Sequence, residues 1–464
     1  MQLCGRQFPR KYRLETESEM NCIPGLRTRR DRPRLSASVC SNLLLLFLAG
    51  AFCSGAESAP ASAQIQLAQA AADGQVAERI YHLDYVVTPD PIGDRMLVEL
   101  TLRQDENLLR EINMRAPATQ ISGATGDGNV LHEGGRLLWH PPESGGTLRW
   151  YANINHQRNT RSFDAYMTPD WAIFRAEDII PQASTRTLRD ASSETTLAFK
   201  LPRGWSSVTE YFGRNDSYKI KNADRRFDRP AGWMVLGNIG VRHEKIADVR
   251  VNVAAPVGHG LRRMDILALL RWTIPEVVHV FDDFPGRLTI VGAADPMWRG
   301  GLSGPRSLFI HADRPLLSEN GTSTLLHEII HVALGRGAGS GADWIVEGLA
   351  EYYGLTILQR SGTISDTRYA ASLRKIAEWG EESALLCDEN STGAATARAV
   401  TVFSALDEEI RTRSSNAASL DDVIRALAAS ENDITIHSLM AISNEYLESE
   451  SKVLIPDNLP GCEF

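Results

Sequence analysis

From Tyr81 onward, apolar and polar positions alternate along the chain. Segments such as Arg95–Leu102 (RMLVELTL) and Thr195–Leu201 (TTLAFKL) carry this short period, and Gly-, Asn- and Asp-rich stretches such as Gly123–Asn129 separate them. Alternation with period two places successive side chains on opposite faces of a sheet. Short strands at regular spacing, divided by turn residues, predict an all-β, sandwich-like domain from about 79 to 245.

After Val253 the period lengthens towards that of a helix. Met264–Phe281 reads as a helix, followed by strands at Arg287–Val291 and Ser307–Ile310. Helices then dominate, at 323–334, 343–358, 366–379, 395–413 and 419–429. The expected fold class is therefore multidomain α and β: a β-sandwich-like domain over 79–245, a mostly helical α+β domain over 246–450, and a tail over 451–464. No internal repeat or low-complexity tail interrupts this plan.

The first 63 residues follow a different pattern. Basic residues, among them Arg27, Arg29, Arg30, Arg32 and Arg34, lead into an apolar run from Leu43 to Cys53, and Ala61-Ser62-Ala63 follows. A positive flank, a short apolar core and an A-x-A site predict a secretory signal peptide with a long n-region over 1–63, then a linker over 64–78. Met20 is a candidate for the true start. The apolar run is shorter than the roughly 20 residues that a membrane-spanning helix needs, so no stable membrane span is expected. The protein is expected to be exported, to the periplasm or the medium.

Composition sharpens this picture in two ways. A formal net charge of -9 supplies no basic excess for neutralising phosphates, so nucleic acid is not an expected partner. Of the six cysteines, Cys4, Cys22, Cys40 and Cys53 precede the expected cleavage site. Cys387 and Cys462 remain, either as free thiols or as one disulfide tying down the C-terminal tail.

The candidate chemistry lies in Thr322–Gly335 (TSTLLHEIIHVALG). A Ser or Thr at the front can cap a helix there, and Gly335 can end it. His327 and His331 are four apart, so both imidazoles project from one helical face and can grip one cation. Glu328 stands beside them as a general base for an attacking water. A bare H-E-x-x-H also arises by chance, so a third ligand is the necessary second test. Asp343–Tyr353 (DWIVEGLAEYY) supplies it, with Asp343 as the expected helix cap and the glycine-rich Gly335–Gly341 turning the chain back. Glu347 or Glu351 gives the carboxylate oxygen, and the other accepts a hydrogen bond from a ligand histidine.

H-E-x-x-H followed by W-x-x-E-G-x-A-x-Y resembles the gluzincin metallopeptidases, and more of the chain is similar to the glycyl aminopeptidase family. The similar segments include Phe281–Leu288 (FDDFPGRL), Gly300–Ser303 (GGLS), Leu406–Arg411 (LDEEIR) and Ser419–Leu427 (SLDDVIRAL). The resemblance implies a β domain packed on a thermolysin-like catalytic domain. It also implies one zinc ion on His327, His331 and Glu347, with Glu351 supporting a histidine. It further implies a substrate-binding strand at Gly300, Gly301, Leu302 and Ser303, and a peptide or protein as substrate.

Two positions depart from that family. Where it carries a glutamate for the substrate's free amine, this chain has Ser303. Where it carries a tyrosine for the oxyanion, this chain has Thr396, with Arg398, Tyr369 and Tyr352 as alternative donors. The expected function is zinc-dependent peptide hydrolysis with Glu328 as base. The alternative is a catalytically weakened or inactive zinc-containing homologue that binds peptides. His311, at the end of a strand, is a candidate for facing the cleft, and Trp233 and Trp298 are candidates for core or cleft walls.

Overall fold

The computed structural model describes residues 79–221, 227–387 and 390–463; the expected signal peptide and linker lie outside them. Alternation does what the sequence predicts. Arg79–Asp90 buries Tyr81, Leu83, Tyr85 and Val87, and Arg95–Arg103 buries Met96, Val98, Leu100 and Leu102. The two pair antiparallel, and Arg79–Asp90 also pairs in parallel with Ala191–Phe199. These strands centre a seven-stranded sheet. A four-stranded sheet (Leu109–Arg115, Asn129–Glu133, Arg136–His140, Ala183–Thr187) is also present. A further sheet of five strands includes Trp171–Arg175 and Trp233–Gly237. Trp139, Trp150, Tyr81 and Tyr85 are fully buried in the core of this β-rich part.

Two details differ from the sequence reading. The segment Gly123–Asn129 is not one turn: Ile121–Gly126 is a strand on the edge of the seven-stranded sheet. A register shift between Ser122 and Thr125 absorbs Gly123, whose φ is 60°. The later strand starts at Ala191 and stops at Phe199, short of Pro202.

The sheet that carries the site runs, in spatial order, Ile239–Ile246, Val249–Pro256, Arg287–Ala293, Ser307–His311 and Gly301–Gly304. Val249–Pro256, Arg287–Ala293 and Ser307–His311 are parallel and largely buried on both faces, as parallel strands generally are. Gly301–Gly304 pairs antiparallel at the edge. The hairpin Ile239–Pro256 already belongs to this sheet, so the expected division at 245/246 falls inside a hairpin. The alternation in Ile239–Ile246 reads locally like the strands before it, and only pairing with distant strands assigns it. Trp171, Trp233 and Phe309 share a core cluster that joins the two sets of strands.

The expected helices form at Arg263–Val280, Thr324–Leu334, Asp343–Arg360, Asp366–Gly380, Ala394–Arg413 and Leu420–Ala429. One more, Ile436–Leu447, was not singled out by periodicity. Its buried stripe is Ile436, Leu439, Ser443 and Leu447, and the serine breaks the apolar pattern. Cys387 and Cys462 are disulfide-bonded, fastening the tail to the segment after Asp366–Gly380. Among the described residues no helix is long and apolar enough to cross a membrane.

Candidate metal centre

The helix Thr324–Leu334 starts where the Ser323 hydroxyl accepts a hydrogen bond from the Leu326 N–H at 3.4 Å. It ends at Gly335, left-handed at φ 60°, whose N–H donates to the His331 carbonyl. Leu325, Leu326, Ile329 and Ile330 are buried in the core. That burial fixes the helix's rotation and turns His327 and His331 towards the helix Asp343–Arg360, against which it packs. The second helix starts differently from expectation. Its cap position is Ala342, and Asp343, one residue further in, instead accepts a hydrogen bond from the Ser391 N–H at 2.7 Å.

The two glutamates differ in what they reach along this helix. Glu347 Oε2 lies 3.2 Å from His327 Nε2, and Glu347 Oε1 lies 3.4 Å from His331 Nε2. The two Nε2 atoms are 3.0 Å apart. Glu351 meets the other nitrogen of the same ring, with Oε2 3.1 Å from His327 Nδ1. A carboxylate at Nδ1 accepts a hydrogen bond from the Nδ1–H and so keeps the proton on that nitrogen, which leaves Nε2 as a lone-pair donor. The donor atoms of His327, His331 and Glu347 all lie within 4.8 Å of one another, the only such group found among the described residues. Two imidazoles and one carboxylate are a donor set that suits one zinc ion and leaves room for a fourth ligand.

The local field favours a cation. Burial alone would push the His327 imidazolium down, but hydrogen bonds to Glu347 and Glu351 outweigh it and hold the pKa up at about 10. Burial would raise the Glu347 carboxyl, yet the two histidines hold it far below the usual carboxylate range. Glu328 behaves in the opposite sense: it is 7% exposed, and burial pushes its pKa up despite the neighbouring histidines. A carboxylate raised in this way is a better proton acceptor at neutral pH.

Glu328 is placed by the edge strand. The Ser303 backbone amide lies near enough to favour its charged form, against the larger effect of burial. A Cβ at Gly301 would lie 2.5 Å from Glu328 Cγ, so only glycine lets the strand come this close. The His311 N–H donates to the Gly300 carbonyl, and antiparallel pairs alternate between bonded and non-bonded. Gly301 and Ser303 therefore turn their backbone groups to the free edge. The neighbouring strand is Ser307–His311. It is flanked on both sides, by Arg287–Ala293 and Gly301–Gly304, and has no free edge.

The alternative oxyanion donors are engaged elsewhere. Arg398 Nη1 donates to the Ser383 carbonyl at 2.7 Å, Tyr369 shares a hydrogen bond with Thr356 at 3.3 Å, and Tyr352 donates to Asp407 at 3.3 Å. Thr396 does reach the site: with Ser391 it lines a recess of about 310 Å³ that also touches His327, Glu347 and Glu351. Ser391 gave no signal in sequence, because it lies in a loop far from the motif. On the His331 side, a cleft of about 1040 Å³ opens between Ser303–Arg306 and residues of Leu420–Ala429. His311 does not face it. His311 is buried, its Nδ1 accepts from the Asp313 N–H and its Nε2 lies 3.4 Å from Asp295. Trp233 is a core residue against Phe309, and Trp298 lies beneath the Arg158 guanidinium.

No family model matches the sequence, and no curated protein matches it. Solved structures do match its fold. An aminopeptidase N family protein from Idiomarina loihiensis is 15% identical with a TM-score of 0.55, over 82% of this chain and 74% of that one. A mutant M1 zinc metallopeptidase from Deinococcus radiodurans, bound to a Tyr-Ser-Ala substrate, is 14% identical with a TM-score of 0.54, over 83% and 94%. Native yeast LTA4 hydrolase is 12% identical with a TM-score of 0.54, over 83% and 68%. The fold, a β-rich N-terminal part followed by a helical part, is that of the M1-type zinc metallopeptidases.

Proposed function

We propose that the chain is an exported zinc metallopeptidase that hydrolyses peptide bonds. His327, His331 and Glu347 are the residues that would hold the ion. Zinc bound there would supply Lewis acidity to a carbonyl and lower the pKa of a water. Glu328 takes the proton from the attacking water and passes it to the leaving amine; its raised pKa suits both steps. Glu351 holds the His327 ring in the tautomer that binds metal. The free edge at Gly301 and Ser303 offers backbone groups to an extended peptide.

The observation that carries this reading is the convergence of two histidines and Glu347, with a buried carboxylate beside them on the edge-strand side. The solved neighbours of the same fold include zinc peptidases, one of them with a bound tripeptide. Export rests on the basic, apolar and A-x-A pattern of residues 1–63, and a disulfide between Cys387 and Cys462 suits an oxidising compartment. A second reading, a zinc-bearing protein that binds peptides without cleaving them, is favoured by Ser303 and Thr396 at positions where the resembling family has a glutamate and a tyrosine. The experiment is incubation of the zinc-loaded protein with a mixed peptide library, with products identified by mass spectrometry. New termini at defined positions support the peptidase; an unchanged library with one tightly bound zinc per chain supports the binding protein.

A further inference from the structure

The recess beside Glu347 has a lining of unusual character for a site so rich in charge. Its walls are mainly apolar, formed by Ile376 and Trp379 of one helix and by Gly393 and Ala397 at the start of another. At about 310 Å³ it lies at the bottom of the range of roughly 300–1,000 Å³ typical of small-molecule pockets, which suits one side chain rather than a whole ligand. We propose that this recess is the side-chain specificity pocket, that it takes an uncharged apolar residue next to the scissile bond, and that Trp379 determines this choice. The proposal rests on the peptidase reading above and deepens it.

Three observations carry it. The first is the state of the polar groups in the wall. Ser391 and Thr396 share a hydrogen bond at 3.2 Å, and the Ser391 N–H is taken by Asp343. Two of the three hydroxyl residues in the wall, Ser391 and Thr396 but not Thr392, thus already hold each other, which lowers the demand for a polar ligand. The second is charge. The charged side chains that border the recess are His327, Glu347 and Glu351, and these are committed to one another at 3.1 to 3.2 Å. An acidic side chain would meet two carboxylates, and a basic one would have to compete with His327 for Glu351.

The third is Trp379 itself. It is 49% exposed, while Trp344 of the adjacent helix is fully buried. As part of the recess lining, this half-exposed ring offers apolar surface to a side chain that enters there. Gly393, at φ 58°, brings the backbone under the ring, and a Cβ there would stand 3.4 Å from it. Because Asp343 belongs to the same helix as Glu347 and holds Ser391, the wall is fixed relative to the metal ligands.

The test is cleavage-site profiling with a positional-scanning peptide library, for wild type, Trp379→Ala and Trp379→Phe. Wild type should prefer Leu, Met or Phe over Asp, Glu and Lys at one position flanking the cut. Trp379→Ala should lower kcat/KM for those substrates roughly tenfold, mainly through KM, leave Ala and Gly substrates nearly unchanged, and Trp379→Phe should restore most of the loss. A charge-indifferent profile in wild type, or an unaltered profile in Trp379→Ala, would overturn the proposal. If no peptide is cleaved, the peptidase reading fails, and fluorescence of the zinc-loaded protein decides the recess on its own. N-acetyl-leucinamide should then give a saturable change that is absent in Trp379→Phe, with none from N-acetyl-aspartamide. Equal responses to the two amides, or no response that depends on Trp379, would overturn it.

Discussion

Glu351 and Glu347, one helical turn apart, engage the two different nitrogens of a single ring: Glu351 Oε2 lies 3.1 Å from His327 Nδ1 and Glu347 Oε2 lies 3.2 Å from Nε2. Asp343, one turn earlier on the same face, holds the Ser391 loop. One face of one helix thus carries a loop anchor, a candidate metal ligand and a histidine support in sequence, set by the four-residue spacing.

Removing the support should weaken the metal and leave the fold. Glu351→Gln keeps an acceptor but loses the charge, and Glu351→Ala loses both. Zinc affinity measured by competition with a chromophoric chelator should fall about 10- to 100-fold, with the alanine variant at the larger end. Unchanged affinity in both variants would remove Glu351 from the site.

Gly301→Ala should damage catalysis more than stability. The new Cβ would overlap the Glu328 side chain, 2.5 Å from Cγ and 2.7 Å from Oε1, and a side chain of this length can swing aside. The thermal midpoint and zinc content should stay close to wild type, while kcat drops about a hundredfold from the displaced base. Retained activity would mean that Glu328 is not held in place by the edge strand.

The β-rich part should show a histidine-dependent pH profile. A hydrogen bond to the Asp178 carboxylate raises the His156 pKa against the opposing effect of burial. A folded pKa above the unfolded value of about 6.5 means that the pair's contribution is complete below that pH and is lost as pH rises through the folded pKa. The difference in thermal midpoint between wild type and Asp178→Asn should be largest below about pH 6.5 and shrink above it. The substitution keeps an oxygen to cap Ala176–Ile179, where Asp178 accepts from the Arg175 N–H. A difference that does not vary with pH would show that the pair does not titrate.

Much of the centre was legible because its information is local. The spacing of His327 and His331, the serine ahead of them and Gly335 behind them describe one capped helix, and the structure keeps each role. Residue spacing alone left Glu347 and Glu351 open as third ligand, since both lie on one face; the resemblance implied Glu347, and the packing of the two helices brings Glu347 to both histidines. The same limit explains the other differences. Whether Gly301–Gly304 or Ser307–His311 is the edge depends on pairing with Arg287–Ala293, and the place of Ile239–Ile246 depends on the parallel partners of its hairpin. The recess wall is assembled from residues near 343, 379 and 393, which no local period connects.

The central claim is that a zinc ion and Glu328 together hydrolyse peptides, and Glu328→Gln tests it most directly. The measurement is zinc content by metal analysis alongside peptide cleavage by the same samples of wild type and variant. The account predicts one zinc per chain in both and a loss of cleavage of about 10²- to 10⁴-fold in the variant. Equal cleavage by the two proteins, or one zinc per chain with no cleavage by either, would contradict it.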